Sequence, residues 1–380
     1  IERSEVRGVA RLTADAVGLI ATPIQQTQRA LSRRVFDAVG PVADPVRALH
    51  DAVTTTSYAA VRGVAGLTGA AVAVGVRLAN RPEPRRLDRS VWGSAAVAGV
   101  NGILGTRIAE SNHDLDLGMT LRLAGRDLPV EAEALAAAYP AAGPHLVLLL
   151  PGLCETEHAW RYRRSRDTPA DPDYGQRLAA DLGASPLYLR YNTGLPLATN
   201  GERLSQLLDE VLAAWPVPVR RIDLIGHSMG GLVVRHACLS GVEAGSNWPD
   251  LVSNVVYLGS PHTGASLARG AGVLADLLSR RPASRGWGEL IDLPGSGVYD
   301  LRLGVPSTLA PLPGAAHHSV IAELIASEHN VVGRFLGDLL VSRGSGRMSV
   351  GDSVRIAPAH HFDLLNHPEV YRALHTWLST

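Results

Sequence analysis

The sequence predicts an α/β architecture: a mainly parallel sheet flanked by helices, preceded by a helical region. Three observations carry that expectation. Short, continuous apolar runs recur from about residue 145 onward, helix-compatible stretches separate several of them, and the first hundred residues show helical periodicity with few strand-like alternations.

Residues 1–105 read as the helical N-terminal region, and they contain a repeat. "VRGVARLTADAV" at 6–17 returns as "VRGVAGLTGAAV" at 61–72, identical at nine of twelve positions. In the first copy Val6, Val9, Thr13, Val17 and Ile20 share one helical face, while Arg3, Arg7, Arg11 and Asp15 recur every four residues on another. The second copy has Gly66 and Ala70 where the first has Arg11 and Asp15, so its polar stripe is lost. The uncharged stretch 63–76 is shorter than the ~20 apolar residues that a spanning helix needs. It reads either as a helix buried among its neighbours or as a surface that docks on lipid, a hydrophobic polymer or granule, or a partner subunit. Residues 79–90 are polar and proline-containing, which suggests a connector, and a further helix at about 91–105 can pack on either side of it.

Around Gly125 and Arg126 the pattern changes to a short hairpin. "HLVLLLPG" (145–152) is then a continuous apolar run ending in Pro-Gly, as expected of a strand covered on both faces. Similar runs follow at 185–191, 221–226, 254–260 and 317–324, with helix-compatible stretches at 200–214 and 229–241.

Composition narrows the function classes. The chain carries 36 basic and 36 acidic residues, so a nucleic-acid partner or a strong electrostatic attraction to anionic lipid is not expected; apolar or neutral partners are. Cys154 and Cys238 form no CxxC and no metal-like spacing with histidine, and both are expected as free thiols. "SNHDLDLG" (111–118) resembles a ligand loop in composition but reads as solvated turn. No basic-then-apolar leader is visible, so a location in the cytoplasm or at a hydrophobic surface is the expectation.

Gly226-His227-Ser228-Met229-Gly230 follows the apolar run "RIDLI" and opens the helical "GLVVRHACL". A G-x-S-x-G is weak alone, but between a strand and a helix it forms a sharp turn that projects the serine hydroxyl. Ser228 is therefore read as a nucleophile. A serine needs a histidine base, and that base needs a carboxylate to orient it. In this architecture both lie downstream. His361 is the first candidate base, with His360 its competitor and His367 a support for the same loop. Asp338 is the first candidate acid, with Asp352 and Asp363 as competitors. The oxyanion donors are expected from the backbone of Met229, at a helix N-terminus, and of Leu153, with Cys154 next in line. Cys154 reads as a pocket-lining residue and Cys238 as core.

With these residues in place, the sequence resembles bacterial lipases and esterases of the α/β-hydrolase superfamily, especially the branch similar to GPI inositol-deacylases. The resemblance covers roughly 144–380 and rests on an ordered set: "LLLPGLCETEHAW", "LRYNTGLPLATNG", "IDLIGHSMGGLVVRHA", "VVYLGSPHTGA", "LGDLLVSRGSG" and "HHFDLLNHPEVY". It implies an α/β-hydrolase catalytic domain over 106–380, the triad Ser228, Asp338 and His361, and an oxyanion hole from Leu153 and Met229. One departure is visible: Pro151-Gly152 stands where such enzymes usually have His-Gly. "GSPHTG" (259–264) should line the site, with His262 bordering the substrate. Residues 265–315 form a long insertion that reads either as a lid with Leu267 on its apolar underside or as a fixed part of the core.

The implied activity is a serine carboxylester hydrolase (esterase or lipase) on apolar acyl esters, with an acyl-enzyme intermediate and neither metal nor organic cofactor. Alternatives using the same triad are an acyltransferase and a polyester depolymerase docked through the N-terminal helices, which also offer a route to self-association. From another class, a non-catalytic surface-binding protein would lack the fluorophosphonate-reactive serine that an enzyme must have.

Overall fold

The structure, a computed structural model, describes residues 91–110, 116–162, 172–263, 296–305, 309–323, 351–359 and 361–379. The repeat at 6–17 and 61–72, the connector 79–90, Leu267, Asp338 and His360 lie outside these residues.

Eight strands form one sheet: β1 (Met119–Leu123), β2 (Arg126–Leu128), β3 (His145–Leu150), β4 (Ser185–Tyr191), β5 (Arg221–His227), β6 (Val252–Leu258), β7 (Ala316–Ala322) and β8 (Asp352–Ile356). Their spatial order is β2-β1-β4-β3-β5-β6-β7-β8. β1 runs antiparallel to β2 and β4, and every pairing from β4 to β8 is parallel. This is the α/β-hydrolase fold. The predicted hairpin is β1-β2, and the five apolar runs are β3 to β7. The short strand β8, half polar in sequence, carries no such run and was not anticipated.

The described helices are α1 (Val91–Glu110), α2 (Ala132–Ala138), α3 (Tyr174–Leu182), α4 (Leu197–Ala214), α5 (Met229–Ala244), α6 (Ser296–Leu303) and α7 (Pro368–Leu378). None of them is long and apolar enough to cross a membrane. The continuous apolar runs are explained by burial on both sides. Successive strand residues point to opposite faces, so Leu146, Leu148 and Leu150 of β3 join one core layer and Val147 and Leu149 join the other. The first layer meets Leu204, Leu208 and Val211 of α4 and Leu232 and Val233 of α5. The second meets Leu178 of α3 and Val370 and Leu374 of α7.

α1 belongs to the compact unit that holds the sheet and docks on the loops at its edge. Small residues make that docking close. Gly102 leaves room for the Cys154 sulfur, and Gly105 for Asn192 and Gly194, so any side chain at either position would collide with the loop after β4 or the loop after β3. Thr106 Oγ1 donates to the Gly194 carbonyl (3.3 Å), and Asn192 Nδ2 donates to that of Gly105 (3.1 Å). α6, the helix described within the 265–315 insertion, docks on the same loop: Gly297 N–H donates to Gly194 O (3.1 Å) and Leu197 N–H to Asp300 Oδ2 (2.9 Å).

Candidate active site

All strands from β4 to β8 end at one edge, and the candidate residues collect there. β5 passes into α5 through Ser228 alone. Its backbone sits at φ 51° and ψ −121°, a left-handed conformation costly for a residue with a Cβ. The turn holds because its neighbours allow close approach: a Cβ on Gly230 would lie 2.5 Å from the Leu150 carbonyl oxygen and 2.6 Å from that of Pro151. Ser228 N–H donates to Leu258 O (2.8 Å), which ties the turn to the end of β6. Met229 is buried as the first residue of α5. An N–H in the first turn has no intrahelical acceptor, and the helix N-terminus favours negative charge.

The loop after β3 folds back beside this turn. Cys154 takes a left-handed φ of 60°, and Glu155 N–H donates to Gly152 O (3.2 Å). Cys154 N–H donates to Thr193 Oγ1 (3.1 Å). That bond engages the Cys154 N–H with the loop after β4. Burial, reinforced by the Glu155 charge, pushes the Cys154 thiol up to about 12, which keeps it protonated and non-nucleophilic at neutral pH.

The Glu155 side chain turns into the space between this loop and the Ser228 turn. Its Oε2 accepts from Gly152 N–H (2.6 Å) and faces His227 Nδ1 at 2.9 Å. A Cβ on Gly152 would lie 3.0 Å from both Glu155 Oε2 and Ser228 Cβ, so the carboxylate and the serine flank one glycine. Burial alone would raise the Glu155 carboxyl; the His227 ring, the Gly152 N–H and the nearby His361 outweigh it and hold the group below the ordinary carboxylate range.

His361 opens a short 3-10 turn, His361–Leu365, and is buried. Its ring lies 4.8 Å from that of His227, centroid to centroid, and its Nδ1 is 3.1 Å from where a Cβ on Gly259 would sit. The structure thus brings Ser228, Met229, Leu153, Cys154 and His361 to one edge. His367 caps α7, its Nδ1 accepting from Glu369 N–H (3.1 Å), as a support of that loop would. Asp363 is buried in the turn that His361 opens, whereas Asp352 is 78% exposed at the opposite end of the parallel strands.

His262 is buried behind the edge. Its Nδ1 faces Arg235 (3.4 Å), and its ring meets Tyr257 edge-on at 4.7 Å. Burial and the Arg235 charge hold its pKa down to about 3. These contacts make it a brace between α5 and the chain after β6. Arg235 also donates to the Leu309 carbonyl, fastening the end of the insertion to α5.

The sheet, the elbow and the chain that returns over it invite comparison with known proteins. Residues 192–275 match the family model of the PGAP1-like alpha/beta domain. That segment contains the elbow and agrees with the inositol-deacylase-like branch whose motifs the sequence resembles. No curated protein matched the sequence. Among solved structures, the chain is similar to the Bacillus licheniformis lipase BlEst2 in its propeptide form, at 19% identity and a TM-score of 0.45, covering 63% of this chain and 51% of that one. It thus spans about half the length of that lipase form. It is similar also to the Pyrococcus furiosus esterase PF2001 (16% identity, TM-score 0.40, 63% and 82% covered) and to the RedJ thioesterase of the prodiginine pathway of Streptomyces coelicolor (17%, 0.35, 63% and 87%).

Sequence reasoning passed over Glu155, His227 and Thr193. Glu155 stands in the quoted loop "PGLCETEHAW", three residues after a glycine at a strand end, a spacing at which a carboxylate can turn back on the backbone. His227 and Thr193 carry no local signal.

Proposed function

We propose that the chain is a serine carboxylester hydrolase acting on acyl esters of apolar substrates. The observation that carries this reading is Ser228, held at φ 51° between β5 and α5, with the His361 imidazole packed across the adjoining His227 and Gly259. In the proposed reaction Ser228 Oγ attacks the ester carbonyl as His361 takes its proton, and the tetrahedral oxyanion is bound by the N–H groups of Leu153 and Met229. His361 protonates the leaving alcohol, then activates the water that releases the acid. Asp338, on the segment between β7 and β8, is proposed to orient His361. A neutral chain favours neutral substrates, and α6, docked on the loop after β4, exposes the apolar Tyr299 and Leu303 one turn apart.

The test is hydrolysis of a chain-length series of nitrophenyl esters, together with fluorophosphonate labelling. Wild type should be labelled, turn over esters and release free acid, and Ser228→Ala should lose both activities. A folded wild type that is not labelled overturns the proposal. Acyl transfer to an added alcohol in preference to water would redirect it to an acyltransferase.

A further inference from the structure

Four groups from three distant segments of the sequence form one connected path through the candidate site. Gly152 N–H donates to Glu155 Oε2 (2.6 Å); the same oxygen faces His227 Nδ1 (2.9 Å); and His227 Nε2 faces the carbonyl oxygen of His361 (3.4 Å). The path starts on the loop that carries the proposed oxyanion donor, crosses the nucleophile turn at the residue preceding Ser228, and ends on the backbone of the proposed base. Both side chains are largely shielded from water: His227 is fully buried and the Glu155 side chain is 11% exposed. Trp160, also buried, sets its ring edge-on to His227 and closes the far side.

We infer that Glu155 and His227 are positioning residues that lock the oxyanion loop and the base loop to each other across the nucleophile turn; this rests on the esterase reading above. The physical case has three parts. First, Glu155 turns back onto Gly152 at the end of β3 and so braces the loop that follows the strand. Second, a hydrogen bond from N–H to an ionised oxygen, in a place from which water is excluded, is stronger and more directional than a neutral one. Third, small displacements of oxyanion donors cost rate steeply, because their stabilisation is realised at the position of the developing charge. Neither side chain needs to touch the substrate; each acts through the backbone it holds.

The experiment compares wild type, Ser228→Ala, Glu155→Gln, His227→Gln and the double variant on one soluble nitrophenyl ester, with melting temperatures for each. Glu155→Gln keeps the shape but loses the charge and one acceptor oxygen. It should lower kcat by about 10- to 100-fold with KM within about threefold and little change in melting temperature. His227→Gln should act similarly, and the double variant should be no worse than the poorer single, because both cut the same path. Wild-type kcat in Glu155→Gln, or a rise in KM alone, overturns the inference. So do losses that multiply in the double variant. If His227→Gln fails to fold, the division between kcat and KM in Glu155→Gln decides by itself. Ser228→Ala keeps the two readings apart: an active Ser228→Ala overturns the esterase reading, whereas an inactive one beside a fully active Glu155→Gln overturns only the lock.

Discussion

The two edges of the sheet treat buried polar groups in opposite ways. At the amino edge a ladder crosses four strands. Asp223 on β5 is fully buried; its Oδ2 faces His145 Nε2 (2.7 Å) and accepts from Arg221 Nε (3.1 Å), and its Oδ1 accepts from Asn254 Nδ2 (2.8 Å). Asn254 then meets His318 Nε2 at 3.1 Å, and the His318 ring stacks on Trp377 at 4.3 Å. The polar groups there face one another within the sheet. At the carboxyl edge the backbone itself is strained, at Ser228 and Cys154, and the buried Glu155 and His227 are turned toward backbone groups of loops. Strain of ~1–3 kcal/mol per residue persists only where surrounding contacts over-determine it. One edge therefore pairs its polar groups within the sheet, and the other uses them to hold strained backbone in place.

The contrast is broken most directly by paired substitutions. Ser228→Ala at the carboxyl edge should abolish ester turnover by three orders of magnitude or more, roughly, while leaving the melting temperature almost unchanged. Asp223→Ala at the amino edge should do the reverse. It removes the buried acceptor that His145, Arg221 and Asn254 share, at a cost of about 1–3 kcal/mol in denaturant unfolding, and the molecules that remain folded should keep wild-type kcat. Equal damage to activity and stability from either variant would erase the distinction.

Gly230→Ala tests whether the carboxyl edge can move. Its new methyl group would press on the carbonyl oxygens of Leu150 and Pro151, so α5 must shift and carry Met229 with it. The expected result is a loss of about 1–3 kcal/mol in stability together with a drop in kcat larger than any change in KM.

Acid should weaken the molecule through its buried histidines. His262 has its pKa lowered to about 3 in the folded state by burial and by Arg235, and that of His318 is lowered by burial. The unfolded chain therefore binds these protons more readily. Their favourable contribution is complete above the ordinary histidine pKa of about 6.5 and is lost as pH falls from there toward the folded values. A melting temperature followed from pH 7 to pH 4 should fall, and His262→Gln should flatten the curve; an unchanged slope in that variant would show that His262 is not the group responsible.

The smallest effect is expected at Asp352. It is largely exposed at the amino edge, 3.9 Å from His318, so Asp352→Asn should change stability by no more than about 0.5 kcal/mol and leave kcat alone. Asp338→Asn, by contrast, should reduce kcat by orders of magnitude if it is the acid of the triad. An Asp352→Asn as damaged as Asp338→Asn would overturn the assignment of the acid.

What the sequence by itself determined is the part of the molecule written in short-range pattern. β3 to β7 were legible because strands covered on both faces read as near-continuous apolar runs. The elbow was legible because a strand-turn-helix around Gly226, Ser228 and Gly230 is a local backbone requirement. β8 was missed because its alternating polar residues lack that continuous apolar character. Tertiary structure alone decided which remote groups meet. Glu155 and His227 are 72 residues apart, and His227 and the His361 carbonyl 134, so no spacing rule could pair them. It likewise decided that α1 belongs with the sheet. Gly102 and Gly105 look like helix-weakening residues until the Cys154 sulfur and the Asn192 loop fill the places where their side chains would be. Periodicity fixes what each segment must hide, but only the packed chain shows what it is hidden against.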